Sequence, residues 1–346
     1  MILAVILALL SLYAAYSLAD RLTDPNSKWH VLDHPNDRSL HQNPTPRSGG
    51  LGILAALLIA WPLWFWLQTP PEGAWAVAIG LALAAGISWL DDLHTLSSAV
   101  RFPVHLAASG LVVFAGGFYF PVLQIPGVGD VALGAFAPIF ALLTIGWMLN
   151  LYNFMDGMDG FAGGMGAWGF GFLALFGWHQ GHLFFAGSAL IIAAANLGFL
   201  RVNFPPAKIF MGDVGSVPMG FLAGCFMLWG ARDGVFPFWI GIVIFSPFIL
   251  DATITLARRL LDGQKVWQAH RAHFYQQLVR MGWSHKRTVL AEYLLMAGVG
   301  GVAFLLHLSD NEGLRAAGWM ALCGLYIVLM IAIHVAGRRR GVSWRG

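Results

Sequence analysis

Asn150-Leu151-Tyr152-Asn153-Phe154-Met155-Asp156-Gly157-Met158-Asp159-Gly160-Phe161-Ala162-Gly163-Gly164 interrupts an otherwise apolar part of the chain. The flanking runs, 132–149 and 160–178, are each long enough to cross a bilayer, which takes about 20 mostly apolar residues. Asn150, Asn153, Asp156 and Asp159 recur at every third position. Three residues turn an α-helix by about 300°, so such a row drifts by only ~60° per step. It places four oxygen-bearing side chains along one broad face, more tightly if the turn is 3₁₀-like. The glycines at 157, 160, 163 and 164 leave the backbone open to close approach. Grouped oxygen ligands suit a hard cation such as Mg²⁺, with Mn²⁺ as a substitute, bridging to substrate phosphates. A merely flexible polar loop would also carry glycines, but three further acid or imidazole clusters lie on the same side of the membrane.

The 346 residues are 58% hydrophobic and 11% charged. A soluble protein of this size has no interior large enough to hide that much apolar surface. The fold class is therefore all-α, a polytopic membrane helical bundle in contact with the lipid bilayer, read as one catalytic domain over 1–346. Cys225 and Cys323 lie in apolar runs with no CxxC or Cys/His spacing, which speaks against a zinc site or a disulfide framework. Residues 1–19 lack a basic leading segment and read as a retained span rather than a signal peptide. Eleven spans are expected, at 1–19, 50–67, 74–90, 103–122, 132–149, 160–178, 183–200, 214–231, 235–257, 288–308 and 314–337.

Alternating from the loop at 20–49, one membrane side receives every Lys and Arg of the 20 except Arg232 and Arg315. Basic loops stay inside. The expectation is a multi-pass protein of the bacterial inner membrane, N-terminus outside and C-terminus inside, with its active site cytoplasmic.

Each cytoplasmic loop carries polar residues with two readings. In the first, Arg38, His41 and Arg47 are either turn-rich linker or phosphate contacts. The second opens with Asp91-Asp92. Adjacent carboxylates at a membrane boundary repel unless a cation joins them, and the alternative is a solvated helix end. Arg101 is either a phosphate partner or a plain basic anchor. In the fourth, Phe210-Met211-Gly212-Asp213-Val214-Gly215-Ser216 offers backbone N–H groups to an anion and Asp213 to a cation, unless Asp213 only caps the next span. Phe210 either stacks on a base or rests in the bilayer interface. The fifth holds His270-Arg271-Ala272-His273, suited to phosphate or sugar contacts and proton transfer, or else part of a lipid-facing amphipathic helix. Asp251, inside the ninth span, is expected to pair with Arg258 or a neighbouring helix, and Glu292 to snorkel from a helix end. Nothing suggests a nucleic-acid partner.

These motifs together resemble the polyprenyl-phosphate N-acetylhexosamine-1-phosphate transferases, glycosyltransferase family 4, from about Asp33 to about Tyr275. The resemblance implies transfer of an N-acetylated hexosamine 1-phosphate from a UDP-N-acetylhexosamine to undecaprenyl phosphate, releasing UMP and initiating a lipid-linked glycan. It implies Asn153 and Asp213 as Mg²⁺ ligands, and Asp91 and Asp92 as an essential acid pair. Asp159 and Phe210 would hold the uracil, and Arg101 and Arg271 the phosphates and sugar. With these, Asp156, His270 and His273 are the candidate catalytic residues, and Asn150 a substrate contact. The fifth loop lacks the triple-histidine run of the peptidoglycan branch and looks most like O-antigen initiators that accept N-acetylated 6-deoxyhexoses. An initiator specific for UDP-N-acetylglucosamine is the alternative. A cation-coupled transporter is the rival from another class, but it would place its acids near the midplane with repeat symmetry.

Overall fold

In the computed structural model, residues 1–29, 31–35, 40, 43–265 and 270–342 are described. Arg38 and His41 lie outside them. With no water in the bilayer core, an apolar run must satisfy its backbone within itself, and these runs become helices. The first eight are α1 (Ile2–Leu22), α2 (Gly50–Leu67), α3 (Ala74–His94), α4 (Ser98–Gly110), α5 (Ala137–Met155), α6 (Phe161–His179), α7 (Leu183–Asn203) and α8 (Asp213–Arg232). They are followed by α9 (Phe238–Ile244), α10 (Ser246–Leu261), α11 (Phe274–Arg280), α12 (His285–Leu308) and α13 (Glu312–Arg339).

Ten helices among the described residues are long and apolar enough to span, and the pair α9–α10 makes an eleventh if counted as one. The expected ninth span is thus broken, with an 82° bend between its halves. Pro247 lies in the first turn of α10, where a missing N–H costs nothing. Ser246 secures the break, its hydroxyl donating to Val243 O at 2.6 Å and lying 2.6 Å from the Tyr326 hydroxyl. The expected fourth span starts earlier, at Ser98, and ends in a π-helical turn at Leu111–Ala115. The chain beyond forms a hairpin of β3 (Val122–Ile125) and β4 (Gly129–Ala132), numbered after the short strands β1 (Leu32–Asp33) and β2 (Thr45–Pro46) of the first loop.

Helix α8 is the axis of the bundle: 94% of its apolar stretch is buried, against 17% for α13 at the rim. Small residues let its neighbours close in. A Cβ on Gly224 would lie 2.9 Å from Ile145 Cα of α5, so no larger side chain fits there. Helix α1 packs along α7, with Ser11 Oγ donating to Ile191 O at 3.1 Å.

Of the two acids in the membrane region, Asp251 meets the expectation of a neighbouring helix, receiving the backbone at the start of α11, as described below, and Glu292 differs from its own. Glu292 does not snorkel: it lines, with Asp251, Tyr326 and Arg287, a cavity of about 780 Å³ beside α12.

Candidate active site

All five loops of the basic side meet at a hollow of about 490 Å³. It is lined by Asp33, Leu40 and Arg47 of the first loop and Asp92 of the second. The third supplies Asn153, Asp156 and Asp159, the fourth Asn203, Phe210 and Asp213, and the fifth His270, Gln276 and His285. Antiparallel pairing of β1 with β2 folds the first loop back toward the fourth. There Phe210 N donates to Pro46 O at 2.7 Å and Gly49 N to Phe210 O at 2.9 Å. Asn203 stitches the third and fourth loops, accepting from Gly160 N at 2.9 Å and donating to Ile209 O at 2.8 Å.

The acid pair is resolved by its partners. Asp92 Oδ2 accepts from Val214 N at 2.8 Å and Oδ1 from Asp213 N at 3.3 Å. Its carboxylate therefore caps the N-terminus of α8, where orphan N–H groups and the helix dipole favour an anion. Arg47 braces the same residue, Nη2 donating to Asp92 O at 2.7 Å and Nε lying 3.6 Å from Oδ1. Asp91 points elsewhere: Oδ1 accepts from Leu96 N at 2.6 Å and Oδ2 pairs with Arg101. The same Arg101 Nη1 reaches Asp213 Oδ2 at 3.3 Å. The cations that relieve the two adjacent carboxylates are thus guanidinium groups and a helix terminus.

Helix α5 stops at Met155, so the three-residue row is not one helical face. Asn153 is still helical and turns inward, its Oδ1 accepting from Ser216 Oγ at 2.8 Å. Asn150, a full 300° earlier, is exposed, and its amide donates to Gly146 O at 2.7 Å; the accumulated drift carries it off the hollow. Asp156 follows the helix end, at φ −85° and ψ 51°. Burial, and then the charges of Asp213 and Asp92, raise its pKa well above the usual carboxylate range. Asp159 goes the other way. Burial alone would raise it, but hydrogen bonds from His285 and Ala207 N outweigh that and leave it lowered. Its Oδ2 accepts from Ala207 N at 3.0 Å, and Oδ1 lies 3.3 Å from His285 Nδ1.

The fifth loop is buried against the bundle, which removes the lipid-surface reading for α11. Asp251 anchors it, accepting from Phe274 N at 2.9 Å and Tyr275 N at 3.1 Å, with His273 Nδ1 also at 3.1 Å. His273, expected to be catalytic, is buried in this latch and lies off the hollow. Arg271 does not line it either; its carbonyl accepts from Gln277 and Arg280. His270 does line the hollow. Its pKa is pushed down to about 3 by burial, then by His273 and Arg259, so at neutral pH it is an uncharged imidazole.

No cluster of three or more His, Cys, Asp or Glu suited to a metal is found among the described residues. The donors do fit Mg²⁺ of the kind that arrives with a phosphate, because such an ion takes only one or two protein oxygens and keeps waters. Asp213 is the one carboxylate at the start of α8 that is not consumed as a cap, and its side chain remains 29% exposed.

The segment 74–231, from α3 through α8, matches the model of glycosyl transferase family 4. A decaprenyl-phosphate N-acetylglucosaminephosphotransferase of Mycobacterium leprae is 30% identical over 342 residues, covering 88% of this chain and 84% of the relative. The chain belongs to glycosyl transferase family 4. A probable undecaprenyl-phosphate N-acetylglucosaminyl 1-phosphate transferase of Bacillus subtilis is 29% identical over 88% of this chain and 84% of its own. An undecaprenyl-phosphate α-N-acetylglucosaminyl 1-phosphate transferase of Yersinia pestis is 28% identical, over 78% and 77%. Within this family member, the lining residues that the sequence motifs did not flag are Asp33, Asn203, Gln276 and His285. Each is a lone polar residue beside a longer motif, and only the convergence of loops reveals it.

Proposed function

We propose that this protein transfers N-acetylhexosamine 1-phosphate from a UDP-sugar to undecaprenyl phosphate, releasing UMP, on the cytoplasmic face of the bacterial inner membrane. The observation that carries this is the meeting of acids, amides, imidazoles and the Arg47 guanidinium from the five basic-side loops in one hollow. The excess of Lys and Arg on that side supports a cytoplasmic location for it. The named relatives act on polyprenyl phosphates and N-acetylglucosamine, so UDP-N-acetylglucosamine is the first donor to test. The likeness of His270-Arg271-Ala272-His273 to O-antigen initiators makes N-acetylated 6-deoxyhexoses the second.

An oxygen of the acceptor phosphate attacks the β-phosphorus of the donor. The new P–O bond forms as the bond from that phosphorus to the bridging oxygen breaks, and the electron pair leaves on UMP. Asp213 and Asn153 would hold Mg²⁺, which when bound neutralises the diphosphate and the departing charge. Arg101, already shared between Asp91 and Asp213, and Arg47 beside Asp92 supply fixed positive charge for the phosphates. Asp92 positions Asp213 through the start of α8. Asp156, which lines the same hollow, is placed as a carboxylate to accept the proton of any acceptor phosphate that arrives singly ionised.

The test is UMP release from purified enzyme in lipid vesicles, with and without undecaprenyl phosphate and Mg²⁺, across a panel of UDP-sugars. Release should require both. Asp213→Asn should lower turnover by roughly a thousandfold, the scale of losing a metal's charge stabilisation. Near-normal turnover in that variant would remove the metal assignment.

A further inference from the structure

The cavity of about 780 Å³ beside α12 shares walls with the hollow but no lining residue. In α11, Gln276 lines the hollow while Phe274 and Leu278 line the cavity. At the start of α12, His285 lines the hollow and Arg287 the cavity. Two residues turn a helix by about 200°, so each helix shows the two spaces opposite faces.

The cavity has the depth and polarity of one membrane leaflet. Its lining on α13 runs from Leu325 to Arg340, ~22 Å at about 1.5 Å per residue. Half a bilayer with its headgroups measures about 20–22 Å. The far part is apolar, with Leu294, Leu295, Leu325, Leu329 and Met330. The near end carries Arg287, Arg340 and Trp283, residue types that favour a lipid–water boundary. Arg287 Cζ lies 4.0 Å from the Trp283 ring centroid, and Arg340 Nη1 donates to Met281 O at the end of α11. Among the described residues, neither guanidinium pairs with a carboxylate. Of the acids lining the cavity, Asp251 is taken up by the start of α11. Glu292 lies ~7.5 Å along α12 from Arg287, which leaves the arginine end to an anion.

We propose that this cavity binds an anionic glycerophospholipid of the surrounding leaflet. Its phosphate sits between Arg287 and Arg340, and one acyl chain runs along α13. Each guanidinium attracts the headgroup, and the apolar wall buries the chain. A reacting lipid phosphate would have to lie in the hollow, on the opposite face of α11 and α12, so the occupant is a bystander. It props α11 through Phe274 and Leu278, and so steadies the face that carries Gln276.

Native mass spectrometry of the purified full-length protein, titrated with phosphatidylglycerol or phosphatidylcholine of identical chains, tests this. Wild type should hold one phosphatidylglycerol at a concentration about tenfold lower than phosphatidylcholine, the scale expected of two arginines near an anionic headgroup. Arg287→Gln combined with Arg340→Gln should bring the two lipids within about twofold of each other. Ala336→Phe, which fills the chain slot and leaves both arginines, should weaken both lipids. Only 17% of the apolar stretch of α13 is buried, so this variant should melt like wild type without added lipid. In phosphatidylcholine vesicles, adding phosphatidylglycerol should slow hydrogen exchange at 274–280 about threefold in wild type and leave the double variant unchanged. Equal binding of the two lipids by wild type, a double variant that keeps the preference, or displacement of phosphatidylglycerol by an equal concentration of undecaprenyl phosphate would each overturn the assignment. Exchange at 274–280 that ignores the bound lipid would overturn the support of α11.

Discussion

Asp92 commits both carboxylate oxygens to the backbone of another helix, and that separates it from a free catalytic base. Asp92→Asn keeps one accepting oxygen, whereas Asp92→Ala orphans two N–H groups, a loss of ~0.5–2 kcal/mol for a helix cap. Asp92→Ala should therefore lower the melting temperature by several degrees and speed hydrogen exchange at 213–216, with Asp92→Asn close to wild type in both. Equal stabilities with equal loss of activity would instead mark a base. His270 carries a second prediction. Its native pKa, near 3, lies below the 6.5 of an ordinary imidazole. Between those values the unfolded chain holds a proton that the native protein refuses, so stability falls as pH drops through 6.5 toward 3. The ring stays neutral from pH 5.5 to 8, and the pH–rate profiles of wild type and His270→Gln should run parallel there; an inflection lost in the variant would contradict this. Asp213, Asn153 and the acid pair could be picked out from sequence because their neighbours form dense motifs. The use of Asp92 as a cap could not, since its partners lie more than a hundred residues away.

At the level of elements, the fifth loop depends on a residue in α10. Asp251 receives two backbone N–H groups and His273 at the start of α11, and Thr255 at 3.2 Å completes the set. Asp251→Ala would leave buried donors unpaired, at ~1–3 kcal/mol each. The segment from His270 to Arg280 should then become protease-sensitive in vesicles, with KM for the donor rising as His270 and Gln276 leave the hollow. Retained protection would show that packing alone holds α11. The hydrophobic runs announced the helices, but periodicity is blind to a bend: Pro247 was visible, and its position in a first turn after a break was not. The three-residue row holds for Asn153, Asp156 and Asp159, which line the hollow although α5 stops at Met155, and fails at Asn150, which helical drift carries away.

For the molecule as a whole, the proposed topology is open to a direct check. In a Cys323→Ser background, with Cys225 buried, a single cysteine at Val128 should react with an impermeant maleimide from outside the cell. One at Ser97 should react only after permeabilisation, and the reverse pattern would invert the assignment. The bundle was legible because a membrane forbids most alternatives to a helix. The convergence of five loops was legible only as an expectation about sidedness, since no local pattern encodes which tips touch.

The hairpin of β3 and β4 stands apart from that crowded end. Its tip, around Gly127 to Gly129, projects Val128 at 75% exposure, and a Cβ on Gly129 would meet nothing within 4 Å. Exposed tips of this kind accept added sequence. An affinity tag or antibody epitope grafted there would give a handle for purification or imaging on the surface that performs no chemistry, leaving the chemically busy face untouched.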